Sequence, residues 1–438
     1  SVLASHQEFG GRVTVMDGAA ADIHATHVGG TLAAAGVRPD AIGMAPAAQI
    51  DSYDWNDDAG EMYARGASYG GEPGMIYLSN HSYGYVAGWY YTDEYPLWEW
   101  YGADTNAAAV EDNFGQYNGI ASDTDWIADA LPYYLSVWAA GNERTDNPWT
   151  GASVALTPGG PAATYDPARH PPGDGAFQNG YDTVSFNAVA KNVLTVGAVA
   201  DAVTSGLRDP AKAGMLSFSS WGPTDDGRIK PDLVANGEEL TSASADELDP
   251  YTTMSGTSMA SPNAAGTAQQ ILAYYAACFP GHYLRASSLK GLLIHTADDL
   301  GNPGPDYRFG WGLLNGQAAA DLIADAAARP DALRLLEQEL SPGATGRFHP
   351  FRWDGVSPIR ATLCWTDPAA APTNGLDSRA PMLVHDLDLC LLAPDNSRHL
   401  PWVMPFVGTW TEATLSAPAI TGTNRTDNVE QVQIPLPP

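Results

Sequence analysis

The sequence predicts an α/β fold, in which a mainly parallel β-sheet is flanked by helices, followed by a small all-β sandwich. Two observations predict this arrangement. From residue 1 to about residue 320, short apolar or β-branched runs alternate with Ala-rich stretches that have helical spacing. After about residue 340, short alternating strands separated by Pro and Gly replace that pattern. We therefore expect an α/β domain over residues 1–335 and a β-sandwich domain over residues 336–438.

The individual elements follow from the same patterns. Short runs rich in Val, Ile, Tyr and Leu predict strands over residues 12–16, 49–53, 75–79, 133–139 and 193–199. Ala-rich segments predict helices over residues 25–36, 121–130, 258–278 and 286–297, and a last helix within 318–338. In the C-terminal region, strands are expected over residues 360–365 and 387–392.

Two long stretches interrupt the α/β pattern. Residues 85–118 contain a dense aromatic cluster, and residues 145–182 are rich in Pro, Gly and Thr. We interpret both as long surface loops, a type of segment that is often functional. The aromatic stretch is equally compatible with a cap over a binding cleft and with a local hydrophobic cluster.

The charge balance excludes one class of partner. The chain has 51 acidic and 21 basic residues, a formal net charge of −30, which would repel a nucleic-acid backbone. Solubility, a saline habitat and bound calcium are three compatible explanations of the acidic excess. The three cysteines are an odd number, which argues against a disulfide framework. No apolar stretch is long enough to span a bilayer, and Ser1 does not begin a signal peptide.

The strongest chemical signal is the segment MSGTSMASPNAAGTAQQIL, residues 254–272. Gly256 allows a sharp turn before a helix, so that Ser258 lies at the helix N-terminus. There, unpaired amides and the positive end of the helix dipole would stabilise a developing oxyanion. Pro262 is expected in the first turn or so, where a missing N–H costs little. The alternative is that Ser258 is a plain N-cap residue.

Residues 256–262 resemble the nucleophile motif of the subtilisin-like serine proteases, G-T-S-M-A-[ST]-P, and all seven agree. The resemblance implies that Ser258 is the acyl-forming nucleophile. Asn263 departs from the pattern, since the family usually has His at the next position.

A second motif, HATHVGGTLAAAG at residues 24–36, resembles the family pattern H-G-T-H-V-A-G-T, with Ala25 and Gly29 as departures. The resemblance implies that His24 is the general base, which takes the proton of Ser258 and returns it to the leaving amine. We expect His27 to be structural. The alternative, a metal pair or a polar helix face, lacks further ligands at suitable spacing.

A third motif, LSVWAAGNE at residues 135–143, reads as a buried strand that ends in a Gly turn. It resembles the family segment A-A-G-N-[ED], which implies that Asn142 donates a hydrogen bond to the oxyanion. On its own, an Asn after a Gly is usually a turn residue, so this role depends on the other motifs.

The resemblance also implies two substrate-binding edges. The segment LSNHSYG, residues 78–84, lies where the family binds an extended peptide as an added strand. The expected backbone partners of the peptide are Ser82, Tyr83 and Gly84. The opposite wall of the first specificity pocket would be lined by three small residues, Ala139, Ala140 and Gly141.

The carboxylate that orients the His is left open by the sequence. Asp17, in VTVMDG, has the local pattern of the family's acid but lies only seven positions before His24. In the family, a segment similar to residues 6–9 follows the acid, so the resemblance favours an Asp that precedes Ser1. By the same comparison, we expect the first core strand and the last sandwich strands to be missing from this sequence.

The C-terminal region, RATLCWTDP…LVHDLDLCLLAP at residues 360–392, resembles the β-sandwich that follows the catalytic domain in some bacterial subtilases. His385 stands where that pattern has Asn. The carboxylates of Asp367, Asp386 and Asp388 are candidate calcium ligands, or else solvent-facing groups at strand ends.

Together with family-like segments at residues 218–237 and 307–319, these motifs imply a secreted, monomeric serine endopeptidase. Its substrate would be a protein or peptide, its catalysis would need no cofactor, and calcium would be structural. The alternative is a catalytically silent subtilase-like binding or scaffold protein, which Ala25, Asn263 and the missing acid motivate. An esterase of unrelated fold is disfavoured, because the sequence around Ser258 is not G-x-S-x-G.

Overall fold

The computed structural model describes residues 1–92, 96–176, 178–341, 343, 346–405 and 411–434. Within these residues the helices are α1 (Ile23–Ala33), α2 (Asp58–Arg65), α3 (Gly119–Ala130), α4 (Thr257–Cys278), α5 (Ala286–Thr296), α6 (Gly316–Ala328) and α7 (Glu412–Leu415). Short 3-10 helices span Pro39–Ala41, Glu143–Thr145, Asp174–Ala176, Phe186–Val189, Pro210–Lys212 and Pro330–Ala332.

The strands of the α/β part are β1 (Val13–Val15), β2 (Ile50–Ser52), β3 (Leu78–His81), β4 (Trp89–Thr92), β5 (Leu97–Trp100), β6 (Leu135–Ala139), β7 (Ser153–Ala155), β8 (Ala162–Thr164), β9 (Leu194–Val199), β10 (Val203–Thr204), β11 (Leu207–Arg208), β12 (Leu233–Asn236), β13 (Leu240–Ala243) and β14 (Tyr251–Met254). The strands of the C-terminal region are β15 (Ile359–Cys364), β16 (Leu391–Leu392), β17 (Arg398–His399), β18 (Trp402–Val403), β19 (Ile420–Thr421) and β20 (Val429–Ile434).

The central sheet is parallel, with the strand order β12–β9–β6–β3. Every residue of β9 is buried, and β6 is buried over its first four residues. Such continuous apolar strands are typical of a parallel sheet that is covered on both faces. The α/β prediction with a mainly parallel sheet is therefore confirmed.

Strands β1 and β2 form a separate parallel pair, with Val13 opposite Ile50, and α1 connects them. In the described residues neither strand hydrogen-bonds to β3. Helix α1 packs against α4, β13 and β14, and Val13 and Ile50 share a hydrophobic cluster with Ala243 of β13, so both contacts join the pair to the rest of the molecule.

Helix α4 runs through the core, where it contacts all four strands of the central sheet and helices α1 and α6. Its small buried residues, among them Ala260, Ala264, Ala265 and Ala268, allow this close approach on several sides. The predicted helix 258–278 is thus confirmed to within one residue.

Pro262 lies deeper in α4 than the sequence suggested. It is the sixth helical residue, where a normal residue would donate its N–H to the carbonyl of Ser258. That carbonyl instead accepts a hydrogen bond from the hydroxyl of Ser82, at 2.9 Å. A side chain that follows β3 therefore replaces the missing backbone donor.

The two stretches predicted as surface loops form a second sheet, of order β4–β5–β7–β8. Its strands come from both stretches, since Trp98 of β5 pairs with Val154 of β7. Trp89 and Trp100 are buried on it, packed against each other and near Tyr165. The loop prediction is therefore wrong, and the aromatic stretch forms a local hydrophobic core; its residues 93–95 lie outside the described residues.

The C-terminal strands pair antiparallel, as β15–β20, β16–β17 and β18–β19, which agrees with the predicted all-β character. The only described helix among them is the short α7. Met404, Leu415 and Val429 belong to the same hydrophobic core as the central sheet. The core thus continues across the predicted boundary at residue 335. Cys278, Cys364 and Cys390 are free thiols.

Candidate active site

Ser258 lies at the N-terminus of α4, beside the carboxyl ends of β3 and β6. Ser82, the residue after β3, contacts it twice. The Ser82 hydroxyl donates to the Ser258 carbonyl, and the Ser258 hydroxyl donates to the Ser82 carbonyl at 3.3 Å. Crevices at the carboxyl ends of parallel strands are the usual ligand sites of open α/β sheets.

Asn142, which follows β6, is fixed against the residue before Ser258. Its Oδ1 atom accepts hydrogen bonds from the backbone N–H of Thr257, at 2.9 Å, and from the Thr257 hydroxyl, at 3.0 Å. Because an N–H can only donate, the atom that faces Thr257 must be the oxygen, and the Nδ2 donors point elsewhere. Asn142 is exposed, as the sequence predicted for a turn tip.

Close packing beside this site requires a glycine at position 141. Gly141 has a φ of 111°, and a β-carbon there would lie 2.2 Å from Oε2 of Glu143 and 2.9 Å from the Ser220 hydroxyl. Ser220 donates its backbone N–H to the Gly141 carbonyl and its hydroxyl to Glu143. Ser220 therefore holds the turn that carries Asn142 in place.

His24 is the second residue of α1, directly after the helix start. Eight residues further along each helix, α1 and α4 meet, since a β-carbon at Gly266 would lie 2.9 Å from the carbonyl oxygen of Leu32. In the described residues no hydrogen bond joins His24 to Ser258, whose hydroxyl is turned to Ser82. Although His24 is exposed, the protein around its ring lowers its pKa through desolvation, which outweighs the opposite effect of Asp22.

Asp22 is the carboxylate whose charge acts on His24, and sequence reasoning missed it. Asp22 caps α1, because its Oδ1 accepts the N–H of Ala25 at 2.8 Å. An Asp just before a predicted helix is a normal N-cap signal, which could have located it. Asp17 instead accepts hydrogen bonds from the N–H groups of Ala19 and Asp54. No hydrogen bond between Asp17 and His24 occurs among the described residues.

His27 is buried and has a structural environment. Its Nε2 contacts the carbonyl of Leu240 at 2.9 Å, and its own carbonyl accepts the hydroxyls of Thr31 and Ser242. These contacts tie α1 to β13, in agreement with the structural role expected from the sequence.

The predicted substrate edge follows β3. Gly84 is exposed, and a β-carbon there would meet no atom within 4 Å, so the edge is open at this point. The Tyr83 side chain turns inward, where its hydroxyl lies 2.8 Å from Nδ1 of His81 and 3.3 Å from Asp58. His81 stacks on Trp138 of β6 with 4.1 Å between ring centroids. The Tyr83 side chain is therefore engaged by His81 and Asp58.

On the opposite side, Ala139 is half-buried and Ala140 is buried at the end of β6. The N–H of Ala140 is bonded to the carbonyl of Val196 in the neighbouring strand. Ala139, Ala140 and Gly141 thus lead from the sheet directly to Asn142, which is the order the motif implied.

Two acidic residues that follow Asn142, Glu143 and Asp146, had no role in the predictions from the sequence. Burial raises the pKa of Glu143, and burial together with Glu143 raises the pKa of Asp146 to about 7. The neighbouring Arg144 does not neutralise them. It donates to the carbonyls of Leu216 and Ser219 and lies 3.9 Å from the Trp221 ring centroid.

The structure does not bring the three predicted calcium ligands together. Asp367 is completely buried and accepts hydrogen bonds from Lys191, at 2.5 Å, and from the N–H groups of Val384 and His385. Asp386 and Asp388 instead lie near Glu430, whose pKa burial and these neighbours raise to about 8. Asp367 is thus engaged in a buried ion pair.

Comparison with known proteins places these motifs in one family. A family model described as "Subtilase family" matches residues 7–312, well over half of the chain. The chain belongs to the subtilase family. The matched range includes His24, Asn142 and Ser258, so the resemblance inferred from the motifs is confirmed.

Curated relatives match only part of this subtilase. A serine protease/ABC transporter B family protein, tagA, from Dictyostelium discoideum is 30% identical over 210 residues, covering 40% of this chain and 11% of that protein. Serine protease AprX of Bacillus subtilis is 41% identical over 102 residues, covering 20% and 22%. C5a peptidase of Streptococcus pyogenes serotype M1 is 35% identical over 103 residues, covering 24% and 7%. The chain therefore spans less than a quarter of the length of these relatives.

Among solved structures, the self-cleaved protease domain of PatA aligns with a TM-score of 0.45 and 20% identity, covering 74% of this subtilase and 94% of that chain. In the described residues of the subtilase, no helix combines the length and apolarity needed to cross a membrane.

Proposed function

We propose that this chain carries the hydrolytic site of a serine endopeptidase that cleaves proteins or peptides through an acyl-enzyme. Ser258 is the nucleophile, His24 the general base and Asn142 the oxyanion donor. The observation that carries the proposal is the position of Ser258 at the start of α4, held between Ser82 after β3 and Asn142 after β6.

The reaction begins when the Ser258 hydroxyl attacks the scissile carbonyl carbon and its proton passes to His24. The hydroxyl must first leave the Ser82 carbonyl, which a rotation about its Cα–Cβ bond achieves. The C–N bond then breaks as His24 protonates the leaving amine, and water releases the acyl group by the reverse sequence. A lowered His24 pKa supports this role, because the ring is then neutral and able to accept a proton at pH 7.

Charge on the carbonyl oxygen would be stabilised by Nδ2 of Asn142 and by the amides at the start of α4. The contact between Thr257 and Oδ1 of Asn142 supports this assignment, because it fixes the side chain by its oxygen and leaves the Nδ2 donors for a substrate. Catalysis on this account needs no metal or cofactor.

The carboxylate that orients His24 stays a prediction. Asp17 and Asp22 both accept backbone hydrogen bonds in this structure, and Asp22 also acts on the His24 charge. Replacing each with Asn separately and measuring kcat distinguishes them, since losing the orienting acid costs about 10⁴ in kcat. Unchanged kcat in both variants would favour the third candidate, the Asp before Ser1 that the family resemblance implies.

An extended peptide would bind along the edge that Ser82, Tyr83 and Gly84 form, opposite Ala139, Ala140 and Gly141. The exposure of Gly84 and the small residues of the opposite wall support this placement. The secreted location and the monomeric state expected from the sequence stay predictions.

A fluorophosphonate probe tests the proposal, because it reacts covalently only with an activated serine. We expect labelling of the full-length protein at Ser258, with no labelling in Ser258→Ala and much slower labelling in His24→Ala. Ser255→Ala, in the turn before the helix, is the matched control and should label normally. Absence of labelling in the folded wild type would favour a silent scaffold.

A further inference from the structure

Three carboxylates from distant parts of the chain meet away from the active site. Asp182, Asp225 and Asp377 each offer an oxygen, and these atoms lie within 4.8 Å of one another. Asp182 and Asp225 belong to the α/β part and are 4% and 2% exposed, whereas Asp377 is half-buried and comes from the C-terminal region. In the described residues, no other three His, Cys, Asp or Glu side chains bring ligand atoms this close together.

Three of the four oxygen atoms of the two buried carboxylates lack hydrogen-bond partners within the described protein. Oδ1 of Asp182 and both side-chain oxygens of Asp225 are buried without a hydrogen bond of normal geometry. The backbone N–H of Ser378 is the one donor that lowers the pKa of Asp225, and its contact is weaker than a hydrogen bond of normal geometry. Because native proteins rarely leave buried polar atoms unsatisfied, this arrangement calls for a ligand.

The oxygens converge on one point next to Gly115. A β-carbon on Gly115 would lie 2.4 Å from Oδ1 of Asp182 and 2.5 Å from Oδ1 of Asp225. The nearby backbone N–H groups already donate hydrogen bonds elsewhere. The N–H of Gly115 donates to the carbonyl of Val184, and the N–H of Asp225 donates to the carbonyl of Gly115. The backbone at this point therefore does not supply the donors that the two carboxylates lack.

The charges around the group do not balance. Arg379 is the neighbouring cation that favours ionised Asp182 and Asp225, and its Nη1 donates to the Asp225 backbone carbonyl at 2.6 Å. Burial and the other carboxylates nevertheless raise the pKa of Asp225 to about 8. Asp232 is a buried carboxylate whose charge is balanced. It lies 2.7 Å from Lys230 and 2.8 Å from Lys290, and its pKa is lowered, in contrast to that of Asp225.

We propose that Asp182, Asp225 and Asp377 bind one calcium ion, which ties the C-terminal region to the α/β part. The donors are all carboxylate oxygens, which suit a hard cation, whereas zinc prefers nitrogen and sulfur. Calcium–oxygen bonds of about 2.3–2.6 Å let two ligands of one ion lie up to about 5 Å apart. Carbonyl and water oxygens would complete the six to eight ligands that calcium usually takes.

The test compares wild type with Asp225→Asn, which keeps the shape and removes one charge. Each protein is stripped with EDTA, titrated with CaCl₂ by calorimetry and melted with and without calcium. We expect wild type to bind one more calcium ion than Asp225→Asn, or to bind it at least about tenfold more tightly. Calcium should raise the melting temperature of wild type more than that of Asp225→Asn, because the ion stabilises only the folded protein that binds it.

Asp299→Asn is the matched control, since it removes a carboxylate that accepts the N–H of Gly304 instead, and it should keep the wild-type calcium response. Asp182→Asn provides a second variant in case Asp225→Asn does not fold. Asp377→Asn tests the link to the C-terminal region and should also weaken calcium binding. Equal calcium stoichiometry and affinity in wild type and all three cluster variants would overturn the proposal, as would a wild type that binds no calcium.

Discussion

The hydroxyl of Ser82 is predicted to stabilise the nucleophile helix by replacing the backbone donor that Pro262 lacks. In Ser82→Ala, the carbonyl of Ser258 loses the 2.9 Å hydrogen bond, and Pro262 cannot supply another. The hydroxyl also accepts an N–H of the Asn80 side chain at 3.1 Å, and that bond is lost too. The substitution thus removes the partner of one carbonyl at the start of α4.

The magnitude follows from the environment of these groups. Ser82 is 7% exposed, and leaving a buried acceptor unsatisfied costs about 1–3 kcal/mol. We therefore expect Ser82→Ala to lower the free energy of unfolding by about 1–3 kcal/mol. In a Pro262→Ala background the helix regains its own donor to Ser258, so the same substitution should cost at least about 1 kcal/mol less.

Urea unfolding of the four proteins in this double-mutant cycle measures the coupling. Ser79→Ala is the control, because Ser79 lies on β3, three residues before Ser82, but contacts Tyr134 and His81. Its effect should be independent of Pro262 to within about 0.5 kcal/mol. Equal costs of Ser82→Ala in the wild-type and Pro262→Ala backgrounds would refute the reasoning.

Three further predictions concern the active site and the core. Asn142→Ala should lower kcat by about 10²–10³ with little change in KM, which is the loss known for removing such a donor in subtilisin, and steady-state kinetics checks it. The acid limb of the kcat/KM profile should have its midpoint below the ordinary His value of 6.5, because the His24 pKa is lowered and activity is lost as His24 becomes protonated; a midpoint above 6.5 would contradict this. Lys191→Ala should destabilise the protein by about 3–5 kcal/mol in urea unfolding, because it leaves Asp367 charged and buried. Arg169→Ala, which removes an exposed ion pair, should cost less than about 1 kcal/mol, and equal losses in the two variants would be inconsistent with this account.

The sequence predicted the elements that are set by local pattern. Helix α4 and strands β6 and β9 were found to within two residues, since long apolar or Ala-rich runs leave few alternatives. The strand expected over residues 75–79 is shifted to Leu78–His81. The reason is that Ile76 pairs with Gly66 outside the central sheet, which a local pattern cannot reveal.

Features set by distant contacts were not predictable. The second sheet depends on pairing between Trp98 and Val154, and its short strands resemble loops when each is read alone. The sequence around Asp367 suggests a calcium ligand, whereas in the structure Asp367 forms an ion pair with Lys191. Likewise, the group at Asp182, Asp225 and Asp377 combines three segments that share no motif. Chemistry that is carried by one segment is visible in the sequence, whereas charge pairing across the fold is not.

Detection of the acyl-enzyme tests the central claim most directly. The protein is mixed with a peptide ester, quenched in acid within the first turnover, digested and analysed by mass spectrometry. The account predicts that the acyl mass is found on Ser258, that it is absent in Ser258→Ala and that it accumulates far more slowly in His24→Ala. An acyl group on another residue, or hydrolysis by Ser258→Ala at the wild-type rate, would contradict it.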